Sequence, residues 1–188
     1  DLDELFMLVA GSRSAAGSNR FMEDTFAPGR PARLAMLLHQ GADLHARYAY
    51  HGSSAMHHVA QVEDVASVRF LAGRGADVDA LDKRGETPLM WVVKRKEADP
   101  TARALVELGA DVNATSKRGR TALFDAAYSG DAAMIAFFAE HGANLDHDEE
   151  PGFTALEMAA RSDNQGTAKA LLDAGATPTP EAFETARM

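Results

Sequence analysis

Cysteine is absent from the 188 residues, and that removes disulfide cross-links, thiolate nucleophiles and cysteine-based zinc sites together. Long apolar runs are missing too. The run Leu5 to Ala10 is far shorter than the roughly 20 residues that span a bilayer as a helix, and it lacks the basic flank of a signal peptide. With a mean hydropathy of -0.24, the chain reads as soluble, with one buried core and no membrane contact. Positive charge is scarce: 19 Lys and Arg face 28 Asp and Glu, a formal net charge of -9, so the long-range field repels nucleic acid and anionic lipid. The stretch Gly11 to Gly17 has glycines but neither a Gly-Lys-Ser/Thr ending nor a preceding strand, which excludes a phosphate cradle. No nucleophile, base and orienting group fall into a pattern that announces catalysis. The expectation is a protein without enzymatic activity, cofactor or metal.

What the sequence does hold is a period. Gly-Ala followed by a polar residue recurs at Gly41, Gly75, Gly109, Gly142 and Gly175, with successive spacings of 34, 34, 33 and 33. A second glycine series, Gly52, Gly85, Gly119 and Gly152, keeps step and opens the strings GSSAMHHVA, GETPLMWVV, GRTALFDAA and GFTALEMAA. In each string the glycine supplies the positive φ of a hairpin tip. Thr87, Thr121 and Thr154 then cap a helix, with Pro88 at a first position where its missing N–H costs nothing. Leu89, Leu123 and Leu156 point inward, and the small pairs Ala126-Ala127 and Ala159-Ala160 let the next helix approach. A second helix follows, with apolar residues three and four apart, as in Val65, Val68 and Leu71 or Ile135, Phe138 and Ala139. The first glycine series ends it in the left-handed conformation.

This unit resembles the ankyrin repeat, and the likeness covers nearly all of residues 41 to 180. The resemblance implies an all-α repeat solenoid, an ankyrin-type stack of helix-turn-helix units joined by β-hairpin loops. The expected single domain, 1–188, divides into an atypical N-terminal capping repeat at 1–46 with an enlarged loop at 11–31, repeats at 47–80, 81–114, 115–147 and 148–180, and a C-terminal capping helix at 181–188. Helices are expected at Leu2 to Ala10 and Ala32 to His39 in the first unit. Phe21 and Phe26 in its loop are expected to seal the open end of the stack, a partner contact being the alternative. Single-residue insertions are expected in the Tyr48 to His51 hairpin and in the Lys96 to Pro100 turn.

Histidines 51, 57 and 58 sit close in sequence, and His147 lies among Asp146, Asp148, Glu149 and Glu150. The acidic run lacks the glycine placement and terminal Glu of a calcium loop. His57 falls where the resemblance implies a histidine that ties its helix to the neighbouring hairpin. Met56, Phe70, Phe137, Phe138 and Met158, at helical spacing, read as core. Trp91, on a first helix, divides between core packing and an interface anchor.

The resemblance also implies that partners are held by the hairpin tips and the exposed ends of the first helices. The candidate partner-binding residues are Arg47, Tyr48 and Tyr50, with His51 beside them; Leu81, Lys83, Arg84, Glu86, Trp91, Lys94 and Arg95; Lys117, Arg118, Arg120 and Tyr128; and Phe153, with Glu149, Glu150 and Arg161 nearby. Between Lys83 and Arg120 nine Lys or Arg stand against five Asp or Glu, a local excess of four positive charges. Stacking aligns equivalent tips, so Lys83-Arg84 and Lys117-Arg118 are expected to be neighbours in a basic stripe. The expected function is a monomeric protein-protein interaction module that binds, and masks or inhibits, a partner with an acidic or mixed-charge surface. The alternatives are nucleic-acid binding through the Lys83 to Arg120 stripe, with Trp91 or Tyr128 stacking a base, and a scaffold or effector without inhibitory role. The expected address is the cytoplasm, with export the alternative if a leader was removed ahead of Asp1.

Overall fold

Threonine caps set where the short first helices begin. The Oγ1 atoms of Thr87, Thr121 and Thr154 accept the backbone N–H three residues on, from Met90, Phe124 and Glu157. In two units the bond is reciprocated: Glu157 accepts the Thr154 N–H at 2.7 Å, and the His57 ring accepts the Ser54 N–H at 3.1 Å. The chain is described by a computed structural model covering residues 2–10, 29–94, 100–149 and 153–178. Among these residues ten helices run in order: α1 Leu2–Ala10, α2 Arg30–His39, α3 Ala55–Gln61, α4 Val65–Gly73, α5 Pro88–Val93, α6 Pro100–Glu107, α7 Ala122–Ser129, α8 Ala132–Glu140, α9 Ala155–Arg161 and α10 Gln165–Ala174.

The helices form two layers. Odd-numbered helices pack in succession, α1 on α3, α3 on α5, α5 on α7 and α7 on α9, while in a second row α2 packs on α4, α4 on α6 and α8 on α10, with the Arg103 guanidinium of α6 over the Phe137 ring of α8 at 4.4 Å. The core lies between the rows. Leu34, Val59, Leu71, Leu89, Leu105, Ile135, Phe138 and Leu171 are fully buried there, and Ala126, Ala127 and Ala159 provide the thin faces that let adjacent inner helices close up. Met56, Phe137 and Phe138 are buried as expected, whereas Phe70 and Met158 are half-buried against the core. A buried Leu, Ile or Phe in such a site contributes roughly 2–5 kcal/mol measured by truncation to Ala.

The connections are turns, with an isolated antiparallel bridge pairing Arg47 with Ser54. The hairpin arms are too short to build a ladder, so each tip bonds to its neighbour along the stack: the Lys83 N–H donates to His51 O and the Lys117 N–H to Arg84 O, both at 2.9 Å. The extra residue of the first tip is visible in its closure, from Tyr48 to Ser53, against Asp82 to Glu86 and Ser116 to Arg120 in the next two. On the far edge the period carries a second set of ties. Asp79 accepts the Asp111 N–H, Asn113 the Asn144 N–H and Asp146 the Thr177 N–H, one repeat apart each time.

Helix α2 starts at Arg30, ahead of the expected Ala32, because Gly29 at φ 131 makes the turn and Pro31 suits the first helical turn. Of the enlarged loop, residues 11–28, with Phe21 and Phe26, lie outside the described residues, as do 95–99 and the expected terminal helix at 181–188.

Candidate functional site

The tips of the second and third full units and the ends of α5 and α7 enclose a groove of about 530 Å³, lined by Arg84, Glu86, Lys94, Ser116, Lys117, Arg118, Arg120, Asp125 and Tyr128. Its walls are pinned by the side chains that start each tip. Asp82 is buried, and its Oδ1 accepts the N–H groups of both Arg84 and Glu86 at 2.8 Å. Ser116 does the same for Arg118 and Arg120 at 3.3 and 3.2 Å. The groove is therefore preorganised by side chain to backbone bonds rather than by a strand ladder.

Its charges are sorted by pairing. Lys94 reaches Glu86 at 2.7 Å. Arg120 reaches Asp125 at 2.6 Å and Glu149 at 3.4 Å, and its guanidinium lies 5.2 Å from the centre of the Phe124 ring. Asp125 is 3% exposed, and burial pushes its carboxyl up to about 6, against the pull of Arg120 and Lys94. Lys117 spends its ammonium on the carbonyl of Lys83 at 2.9 Å, and Lys83 likewise bonds Ala49 O at 2.7 Å. The expected adjacency of Lys83-Arg84 and Lys117-Arg118 is present, but the lysines act as ties between tips. Arg84 and Arg118 are exposed, and among the described residues neither is in an ion pair.

A second cluster lies outside the groove lining and meets it at the backbone of Glu86. Trp91 is half-buried, donates Nε1–H to Asp82 Oδ2 at 3.3 Å, and meets the rings of His57, His58 and His51 edge-on at 4.9, 5.8 and 6.5 Å. Trp91 and His58 hold equivalent places in adjacent repeats, so stacking the units stacks the rings. His57 Nε2–H donates to Glu86 O at 3.0 Å, with Nδ1 facing the Ser54 N–H, which is the tie to the neighbouring hairpin expected of it. Burial lowers His57 to about 4 and His58 to about 3, so both are neutral imidazoles at neutral pH. His147 is similarly occupied, bonding Gly119 O at 2.8 Å. Among the described residues no group of three His, Asp or Glu is placed to hold a metal.

The remaining candidates scatter around these clusters. Arg47 bonds Leu81 O at 2.9 Å, and Tyr48 is half-buried against the core with its ring edge-on to His58. Tyr50 and Leu81 are exposed at 76% and 54%, and Tyr128, on the groove wall, at 62%. Phe153 packs edge-on against Phe124 at 5.5 Å and under Arg161 at 4.7 Å, away from the groove lining. Arg95 and Glu150 lie outside the described residues. Two lining residues escaped the sequence reading, Ser116 and Asp125. Asp125 carried a signal: it stands at the helix position that holds His58, Trp91 and Met158 in the other units, so an acid there has to be paired.

Two comparisons bear on descent. A family model described as ankyrin repeats (three copies) matches residues 27–116 and 97–182. A transient receptor potential cation channel subfamily A member 1 homolog from Caenorhabditis elegans is 31% identical over 122 residues, covering 65% of this chain and 10% of that protein, so the chain spans about a tenth of that relative's length. With two phased glycine series, two helical layers and a family match running from residue 27 to 182, the chain belongs to the ankyrin repeat family.

Proposed function

We propose that this chain acts by occupation: it holds a partner protein of acidic or mixed surface charge across its hairpin tips and groove, and thereby masks part of that partner's surface. Ankyrin repeats are generally protein-protein interaction modules, and among the described residues no helix is long and apolar enough to cross a membrane. The observation that carries the reading is the groove itself, whose tips are held rigid while Arg84, Arg118 and Tyr128 stay exposed along it. Ordering costs on binding are small where the backbone is already fixed, and exposed Arg and Tyr are the side chains that most often dominate interfaces.

The test is affinity capture from the source organism with three baits: the unaltered chain, Arg84→Glu/Arg118→Glu with Tyr128→Ala, and Lys169→Glu on the outer helix α10. A protein retained by the first and third baits and lost from the second is the expected result. Equal retention by all three removes the groove as the binding surface.

A further inference from the structure

Resting on that protein-binding reading, we infer that the groove takes an extended acidic segment of the partner, with successive carboxylates on Arg84 and Arg118 and an apolar side chain against Tyr128. Five of the groove's ionisable side chains are cationic (Arg84, Lys94, Lys117, Arg118 and Arg120) and two are anionic (Glu86 and Asp125), in a chain whose net charge is -9. The groove is a positive island on an acidic protein. Such a local field selects against the protein's own kind of surface and draws in negative charge.

Pairing decides which cations recognise and which merely hold. Lys94 and Arg120 are engaged by Glu86 and Asp125, and Lys117 by the backbone of the preceding tip. That leaves two guanidinium groups at matching places, each just before the glycine of its tip. Their tips are joined by the Lys117 N–H donating to Arg84 O, so the two arginines follow one another along the stack rather than across it. Each has its own backbone N–H fixed, by Asp82 Oδ1 and by Ser116 Oγ. A guanidinium is a planar fork that fits a carboxylate with two parallel hydrogen bonds, and it loses little hydration in doing so. Two forks in a row match carboxylates displayed on one side of an extended chain, where side chains alternate. Tyr128 opens onto the same groove and offers a ring face with a polar tip, the usual counterpart of a Phe, Leu or Pro side chain.

A nucleic acid fits the arrangement less well. A phosphate backbone carries its charge continuously, so it would run from this island onto the acidic remainder of the chain and meet Glu149 beside Arg120. Within the groove lining base stacking would rest on Tyr128, since Trp91 is held by Asp82 and ringed by histidines.

The experiment is fluorescence anisotropy of the intact chain with a labelled peptide of sequence Gly-Asp-Glu-Phe-Glu-Asp-Gly, its amide counterpart Gly-Asn-Gln-Phe-Gln-Asn-Gly, and a labelled oligothymidylate, at about 50 mM and about 200 mM salt. The acidic peptide should bind at the lower salt and weaken at the higher, while the amide peptide should not bind. Arg84→Ala/Arg118→Ala should weaken the acidic peptide at least about tenfold, and Lys169→Ala should leave it unchanged. Both arginine side chains are exposed, so circular dichroism and the urea midpoint should match the unaltered chain. The inference is overturned if no peptide binds at the lower salt, if the double variant binds equally, or if the oligothymidylate outcompetes the peptide. A partner captured in a Tyr128-dependent way by a chain that ignores the acidic peptide would sink this inference and leave protein binding standing.

Discussion

Acidification should loosen this protein through two neutral histidines, and the size of the effect follows from their burial. His57 is fully buried and His58 nearly so, and both are lowered well below the ordinary 6.5, to about 4 and about 3. In the unfolded chain each takes up a proton as the pH falls through its ordinary value, while the folded chain resists. Stability is therefore fully present above that value and declines as the pH drops towards the folded values. Between about pH 7 and about pH 5 each histidine costs about 2 kcal/mol. Asp125 works in the opposite sense: raised to about 6 in the fold, it is protonated there first and returns about 1 kcal/mol over the same interval. The net loss is roughly 3 kcal/mol, a large part of the margin of an ordinary domain. Urea unfolding at both pH values checks it, on the unaltered chain and on His58→Gln. The Gln variant starts from its own stability, so the informative quantity is the change with pH. That change should shrink by about 2 kcal/mol, because one titrating group is gone. If the unaltered chain and the variant lose the same amount, the account of His58 as a buried neutral ring is wrong.

The two glycine series should respond differently to the same substitution. At Gly109, φ is 94 and the added Cβ meets nothing, so Gly109→Ala should cost only the left-handed penalty, roughly 1 kcal/mol. At Gly119, φ is 77 and the Cβ would sit 2.9 Å from the carbonyl oxygen of Glu149 in the next tip, so Gly119→Ala should cost more than about 2 kcal/mol; equal thermal shifts in calorimetry would refute the close packing of tips. Asn113 donates to Gly142 O at 3.0 Å and accepts the Asn144 N–H at 2.7 Å, on an exposed edge. Asn113→Ala should lose about 1 kcal/mol and raise hydrogen exchange at the Asn144 amide, and an unchanged exchange rate there would dispose of the inter-repeat tie.

Much of the architecture is set by local chemistry and so is legible in the sequence. A glycine that must adopt positive φ, a threonine that must cap and a leucine that must be buried recur at one period, and they placed Thr87, Thr121, Leu89, Leu123, Gly75 and Gly109 in the roles they hold. The tie from His57 to the next hairpin was legible as well, through the resemblance of its repeat. Less visible were the Asp79, Asn113 and Asp146 ties, whose acceptor side chains look like ordinary turn residues until the next repeat is laid beside them.

The roles of the charged tips were another matter. In the sequence Lys83, Arg84, Lys117 and Arg118 are four equivalent cations, because a long side chain does not declare where its end will rest. Only the stacking of one tip on another brought the carbonyls of Ala49 and Lys83 within reach of the two lysines and left the two arginines exposed. The same is true of Trp91 and Asp125. Their helix position was evident from the period, but an indole ringed by three histidines and a carboxylate sealed under Arg120 are products of neighbours supplied by other repeats. Local propensity and periodicity determined the fold of each unit. The partners of flexible and buried polar side chains were decided by tertiary contact, since desolvation and hydrogen-bond geometry exist only once the units are stacked.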